Sequence, residues 1–420
     1  MHENLLQPER ALLAAVDKGD YDIEVSLAEL AELAAAADIE TVGVVTQKRD
    51  SFNKATCIGS GKVEEIATYA KSGEVDIVIF DHELSATQLR NLEEACGVAV
   101  IDRTMLILEI FSRNAHTSEG KIQVELAQHK YLMPRLAGMG ASLSRLGGGG
   151  GGGAGARRGA GETSLELNRR HIRRHIQNLE EQLEKLTARR ANLRLRRKKD
   201  GVTTVAIVGY TNVGKSTLLN ALTDAGVLVE DKLFATLDPA ARALTLPDGR
   251  SVMLIDTVGL VRRLPHHLVE AFKSTLEEAV FADLILNVCD ISGGEYTEQT
   301  NVTNELLASL GVSSTPVLTV LNKSDQINEL PLSMGKSTAV TSASTGKGLE
   351  ELLVKISDML EPSQKRMSLL IPYSMGSLIA AIREEGKIFS EDYRENGTAL
   401  DALVDKKLFS RVDEYIVNPN

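Results

Sequence analysis

Apolar positions along the chain alternate between two textures. Short, compact runs at 41–45, 75–80 and 98–101 have the look of strands buried on both faces, and 3.6-period patterns at 62–71 and 85–95 separate them. An Ala-rich helix around Ala28 to Ala37 comes first, so the N-terminal third reads as a small parallel α/β domain. From Ile122 to Leu132 the period is helical; Pro134 then disturbs it, and Gly147 to Gly153 is an unbroken glycine run that is not expected to hold regular structure. A long helix opens near Thr163. In it Ile172, Ile176, Leu179, Leu183, Leu186 and Leu193 keep heptad spacing, with Arg190 interrupting. Such a seam needs a partner. The helical stretch before the glycine run would give an antiparallel hairpin tipped by Arg157 and Arg158, and a homodimeric coiled coil is the competing reading.

Buried-strand runs return at 203–208, 252–255, 283–288 and 316–321, with helical stretches between them, which implies a second parallel sheet. After Pro362 a strand at 367–371, a helix near 377–383 and a weakly patterned remainder read as a small α+β appendage. The expected organisation is an N-terminal α/β domain (1–114), a helical hairpin (115–199) with a Gly-rich loop (147–161), an α/β nucleotide domain (200–361) and a small C-terminal α+β domain (362–420).

Composition narrows the function classes. With 43% apolar and 25% charged residues the 420-residue chain is a folded protein of several domains, and 4% aromatics with no Trp weakens any case for stacking on nucleobases. The net charge of −11 hides an asymmetry: between 157 and 199 fourteen Lys/Arg stand against five Glu, a net of +9, so the remainder carries −20. One concentrated basic segment on an acidic protein suggests a local polyanion contact, with a solvated helix face as the bland alternative. No basic leader precedes an apolar core and no eighteen apolar residues run together, so a cytosolic protein without a membrane span is expected. Cys57, Cys96 and Cys289 lack metal or redox spacing and read as reduced, buried hydrophobes.

The chemistry is concentrated in the second sheet. The strand at 205–208 runs into Gly209-Tyr210-Thr211-Asn212-Val213-Gly214-Lys215-Ser216-Thr217, a phosphate loop in its required strand-to-helix context. Its glycines let backbone N–H groups close on phosphates at a helix N-terminus, Lys215 reaches the β/γ-phosphates, and Ser216 offers its hydroxyl to Mg²⁺. The strand at 252–255 delivers Asp256-Thr257-Val258-Gly259, where the aspartate can hold the metal and the glycine N–H can meet a γ-phosphate. Asn322-Lys323-Ser324-Asp325 reads the base, because a carboxylate accepts from both guanine N1–H and the 2-amino group, a donor pair adenine lacks. Ser342-Ala343-Ser344 fits the loop that supports Asn322. Between these motifs lie Phe234, Ala235, Thr236, Leu237 and Asp238, where Thr236 is the candidate to complete the Mg²⁺ shell.

GTP is therefore the expected substrate, Mg²⁺ the cofactor (Ser216, Thr236, Asp256), and Lys215, Thr236 and Gly259 the expected catalytic groups. Leu260 stands where many GTPases carry the glutamine that orients attacking water, so slow intrinsic hydrolysis that a large partner accelerates is expected. A second loop, Ile58-Gly59-Ser60-Gly61-Lys62, looks like a phosphate loop but has Thr56 and Val63 at defining positions.

The order of these features resembles the HflX family of translation-factor-class GTPases. Similar runs are the stretch from Asp256 through Leu264-Pro265-His266 to Ala271-Phe272-Lys273-Ser274-Thr275-Leu276-Glu277-Glu278, Val100-Ile101-Asp102-Arg103-Thr104, the segment from Ala115 to Ala127, and Gly161-Glu162-Thr163-Ser164-Leu165-Glu166. The chain departs from that pattern at Leu260, where Phe is frequent, Ala160, where Pro is usual, and Ser118, where a basic residue is common. The resemblance implies binding to the large ribosomal subunit, with the hairpin on ribosomal RNA, and GTP-dependent splitting or rescue of stalled ribosomes under stress. It also implies that a second, ATP-using site is conceivable in the N-terminal domain. A switch acting on a protein partner through the coiled coil is the alternative, and a monomer is expected over a dimer.

Overall fold

A computed structural model describes residues 8–136, 161–223, 233–234, 240–263, 265, 268, 273–293, 296–312, 315–327, 329, 335, 337–360 and 364–417. The glycine run, Arg157, Arg158 and residues 235–239 lie outside them, as do the expectations made for those positions.

The N-terminal part is a four-stranded parallel sheet in the order β2-β1-β3-β4, built from β1 (Glu9–Asp17), β2 (Ile39–Lys48), β3 (Ile77–Phe80) and β4 (Ala99–Asp102). Helices α1 (Ile23–Ala36), α2 (Ser60–Lys71), α3 (Ala86–Cys96) and α4 (Arg103–Asn114) follow the strands in turn. Capping fixes where the helices begin. Asp22 accepts from the amides of Glu24 and Val25, Ser85 and Gln88 form a capping box, and the buried Asp102 accepts from Met105 N at the head of α4. Strand β1 was not legible in the sequence. No element is expected at its Ala- and Leu-rich run, whose composition favours helix, yet it lies between two strands with Ala11 to Val16 buried, a case of tertiary packing overriding propensity.

Helices α5 (Ser118–Leu132) and α6 (Gly161–Lys199) pack as the expected antiparallel hairpin: Lys130 pairs with Glu180 near one end and Glu119 with Arg190 near the other. Leu126, Ile176 and Leu179 are buried between them, flanked by Ile122, Ile172 and Leu183. The seam ends earlier than its spacing suggests, because Leu193 is 52% exposed. There α6 docks by charge instead. Arg194 pairs with Glu277 and Glu278 and lies over the Phe281 ring, beside α8 (Lys273–Val280) of the next sheet.

That sheet has the order β10-β9-β8-β5-β7-β6, with strands β5 (Thr203–Gly209), β6 (Ala240–Thr245), β7 (Ser251–Asp256), β8 (Leu284–Asp290), β9 (Val317–Asn322) and β10 (Thr338–Val340). Five strands are parallel, and the unforeseen β6 pairs antiparallel with β7 as the edge. Helices α7 (Lys215–Thr223), α9 (Tyr296–Ser309) and α10 (Leu349–Met359) cover it with α8. At the C-terminal end, strands β11 (Gln364–Ile371), β12 (Lys387–Arg394) and β13 (Gly397–Asp405) form an antiparallel sheet in the order β11-β13-β12, with α11 (Gly376–Glu385) packed on it through Leu378 and Ile382. Among the described residues no helix is long and apolar enough to cross a membrane. The three cysteines are free and buried, and burial pushes the Cys57 thiol up to about 12.

The N-terminal core does not stop at its own sheet. Leu233, Phe234, Val258, Val261 and Leu268 belong to it, so segments flanking the phosphate loop are anchored in the preceding domain.

Candidate functional site

The site lies at the carboxyl ends of β5, β7 and β9, where parallel strands of an open sheet hand over to their loops. Strand β5 ends in Gly209 at φ +148°, where a Cβ would stand 2.2 Å from the Val288 carbonyl oxygen. The loop turns through Asn212 (φ 59°) and Gly214 (φ 89°) into α7. At Gly214 a Cβ would lie 2.4 Å from Asn322 Nδ2, so only glycine combines this backbone with this approach. Gly214→Ala is expected to weaken nucleotide binding at least tenfold, read by equilibrium titration with a fluorescent guanine nucleotide, since strain of about 1–2 kcal/mol adds to a steric clash.

Lys215 is buried, its Nζ donating to the Tyr210 carbonyl at 2.6 Å. Burial pulls its ammonium down to about 8 while Asp256 opposes the shift, so a polyphosphate beside it restores the full charge. Ser216 Oγ donates to Asp256 Oδ2 at 2.7 Å, which brings two side-chain oxygens from α7 and β7 side by side. Thr257 turns inward instead, its hydroxyl donating to Ile207 O at 2.7 Å. Gly259 sits against the loop: a Cβ there would be 2.7 Å from Thr211 Cγ2 and 3.1 Å from Lys215 Nζ. Thr211 N donates to Leu260 O at 2.7 Å, and Leu260 N to Gly209 O at 3.1 Å, so the segment after Asp256 is stitched to the phosphate loop.

Asn322 works as an internal brace. Its Nδ2 donates to Val213 O at 2.8 Å, and its Oδ1 accepts from Ala343 N at 2.9 Å and Thr341 Oγ1 at 3.3 Å, which ties the phosphate loop, β9 and the 342–344 loop together. Lys323 adopts a left-handed backbone (φ 62°) and pairs with Asp290 at 2.7 Å. Ser324 is buried, whereas Asp325 is exposed, on a 3₁₀ turn. A hydrogen bond from the Ser342 hydroxyl, followed by its own backbone amide, holds the Asp325 carboxyl below the usual carboxylate range. An ionised acceptor thus stands beside the brace, with Ser342 and Ser344 paired through their hydroxyls at 3.1 Å.

The described expected residues gather here, with Phe234 the exception. Its ring packs edge-on against Phe111 at 4.6 Å and its carbonyl accepts from Asn114, so this side chain is committed to the N-terminal core rather than to the phosphate loop. Ala235, Thr236, Leu237 and Asp238 lie outside the described residues. The second loop is occupied by its own domain: Gly59 N donates to Gln47 and Lys62 pairs with Glu65, each at 2.7 Å. Sequence reasoning missed the wall contributed by α1, where Val25, Ala28, Glu29 and Glu32 face Tyr210, Asn212 and Arg262 across a cleft. It also missed Asp290 as the partner of Lys323. Neither had a local signal, because the contacting segments are remote in sequence.

Comparison with known proteins agrees with this geometry. Residues 24–112 match the family described as GTP-binding GTPase N-terminal, 114–197 the GTP-binding GTPase Middle Region, and 204–323 the 50S ribosome-binding GTPase family. The chain is 47% identical to GTPase HflX of Caldanaerobacter subterraneus, over 100% of this chain and 96% of that protein. To GTPase HflX of Escherichia coli K12 it is 39% identical, over 90% and 89%. Among solved structures, a GTP-binding protein from Sulfolobus solfataricus in complex with GDP is 25% identical, covering 84% of this chain and 98% of that one, with a TM-score of 0.46. A phosphate loop braced by Asn322 with an ionised Asp325 beside it, on a chain 47% identical to one GTPase HflX over 100% of its length and 39% identical to another over 90% of it, makes it a GTP-hydrolysing member of the HflX family.

Proposed function

We propose that this GTPase docks on the large ribosomal subunit in its GTP-bound form, lays the basic hairpin on ribosomal RNA, and splits or rescues stalled ribosomes under stress. One observation carries the reading. Most of the +9 segment lies on α6, where Arg170, Arg174, Arg189 and Arg196 are exposed, and the same helix is fastened to α8 of the GTPase domain by Arg194 and Arg197. A polyanion held there is mechanically joined to the nucleotide domain. The protein-partner alternative needs the seam for a second chain, whereas α5 already occupies it.

In the nucleotide site, backbone amides of 209–214 and Lys215 hold the phosphates, Gly259 N–H meets the γ-phosphate, and Asp325 selects guanine. Ser216 and Asp256 suit Mg²⁺ as adjacent oxygen donors, with Thr236 as the further candidate; the ion would neutralise charge on the β- and γ-oxygens. The test is cosedimentation with purified large subunits, using a non-hydrolysable GTP analogue or GDP at rising salt. Binding is expected to favour the GTP form and to fall steeply with salt, less steeply after Arg170→Glu and Arg174→Glu. Pelleting indifferent to nucleotide and salt would sink the proposal.

Hydrolysis is expected to be slow alone and faster with large subunits. Leu260→Gln is not expected to restore the intrinsic rate. Leu260 is buried in the GTPase core and paired with Tyr210 across a β-bridge, so an amide there is not free to meet water and costs about 1–3 kcal/mol of stability. Single-turnover GTP cleavage and thermal unfolding of the variant check both halves.

A further inference from the structure

The hairpin carries a cluster that the GTPase chemistry does not use. Glu125 and His129 lie four residues apart on α5, and His171 and His175 four apart on the facing α6, so each pair shares a helix face. Glu125 Oε1 stands 2.8 Å from His175 Nε2 and 3.8 Å from His129 Nε2. The candidate ligand atoms of Glu125, His129 and His175 all lie within 4.8 Å of one another. The two rings meet edge to face with centroids 4.9 Å apart.

We propose that Glu125, His129 and His175 form a transition-metal site, best suited to Zn²⁺, that staples α5 to α6. Tetrahedral zinc with bonds of about 2.0–2.2 Å spaces its ligand atoms by roughly 3.3 Å, so the cluster needs only small side-chain rotations to close on an ion. Two imidazoles and one carboxylate favour zinc over the oxygen-seeking magnesium expected at the GTP site. All three side chains are partly exposed, which gives an ion a path in. A water molecule would take the fourth position. The gain is mechanical. The apolar contact of the hairpin is small, and an ion bridging the helices at this level would fix their register where the basic face begins.

The test uses the full-length protein with GDP and excess Mg²⁺ filling the nucleotide site, and Co²⁺ as the visible probe. One equivalent of Co²⁺ is expected to give the absorption of a four- or five-coordinate nitrogen-ligated ion, and Zn²⁺ to displace it. His129→Ala and His175→Ala should each weaken binding about tenfold or more, while His116→Ala, outside the cluster, leaves it unchanged. Glu125→Gln, which keeps both rings, serves as the milder variant if an alanine form loses helical circular dichroism. Absence of the cobalt spectrum, or equal affinity in the cluster variants and the wild type, overturns the proposal.

Discussion

Asp325→Asn is expected to weaken guanine-nucleotide binding by about 10²–10³-fold while leaving the fold intact. The carboxylate offers two oxygens to the guanine N1–H and 2-amino donors, and hydrogen bonds to a charged acceptor contribute about 1.5–3 kcal/mol each. An amide keeps one acceptor and turns an NH₂ donor toward a guanine donor, so one bond is lost and a repulsive contact takes its place. Asp325 is exposed, and an asparagine Oδ1 can still accept from the Ser342 hydroxyl, so little stability change should accompany the loss. Because the Ser342 hydroxyl favours the ionised form, the acceptor keeps its charge to lower pH than an unpartnered aspartate. Titration of wild type and variant with fluorescent GDP, beside a thermal melt, checks both statements. Unchanged GDP affinity would remove Asp325 from base reading.

The parts of this site that are local in sequence could be read there, and the parts that depend on remote segments could not. The phosphate loop, the Asp256 segment and the Asn322 segment each follow a buried strand whose apolar run announces it, and the short spacing within each motif fixes its chemistry. Strand β1 failed for a physical reason: Ala and Leu favour helix when alone, and only the neighbours β2 and β3 make an extended central strand the better packed choice. Strand β6 escaped because it is a short, mostly solvent-facing edge. Strands β12 and β13 fell in the weakly patterned remainder: Asn396-Gly397 between them is a strong turn pair, but the exposed face of β12 masks the period-two signal. Leu193 fitted the heptad arithmetic and still faces solvent, because α5 no longer lies opposite and ion pairs take over. The junction that pairs the N-terminal domain with the segment after Gly259 could not be read from either run alone. Its partners are separated by up to 237 residues and follow no period.

That junction gives the largest expected change in stability. Asp81, with a fully buried side chain, accepts from Arg103 at 3.0 Å, Arg263 at 2.6 Å and Ser26 at 2.8 Å. Arg103 also pairs with Glu29 at 2.9 Å, and Glu29 accepts from the Arg262 amide at 3.1 Å. Arg263 itself sits in a left-handed backbone (φ 51°), a conformation that needs its partners to hold it. Asp81→Ala removes the shared carboxylate and leaves the buried Arg103 with half its compensation. Breaking a buried pair in this way costs about 3–5 kcal/mol, because the cost is that of an uncompensated charge rather than of one lost contact. Arg10→Ala, which breaks the half-exposed Arg10–Asp76 pair, is the fitting control and should cost about 0–1 kcal/mol. In a chain of several domains the quantity to read is the lowest thermal transition, expected to fall by roughly 10 °C in Asp81→Ala and by little in the control. Equal shifts in Asp81→Ala and Arg10→Ala would mean that solvent reaches the junction and that the phosphate-loop flank is not clamped by the N-terminal domain.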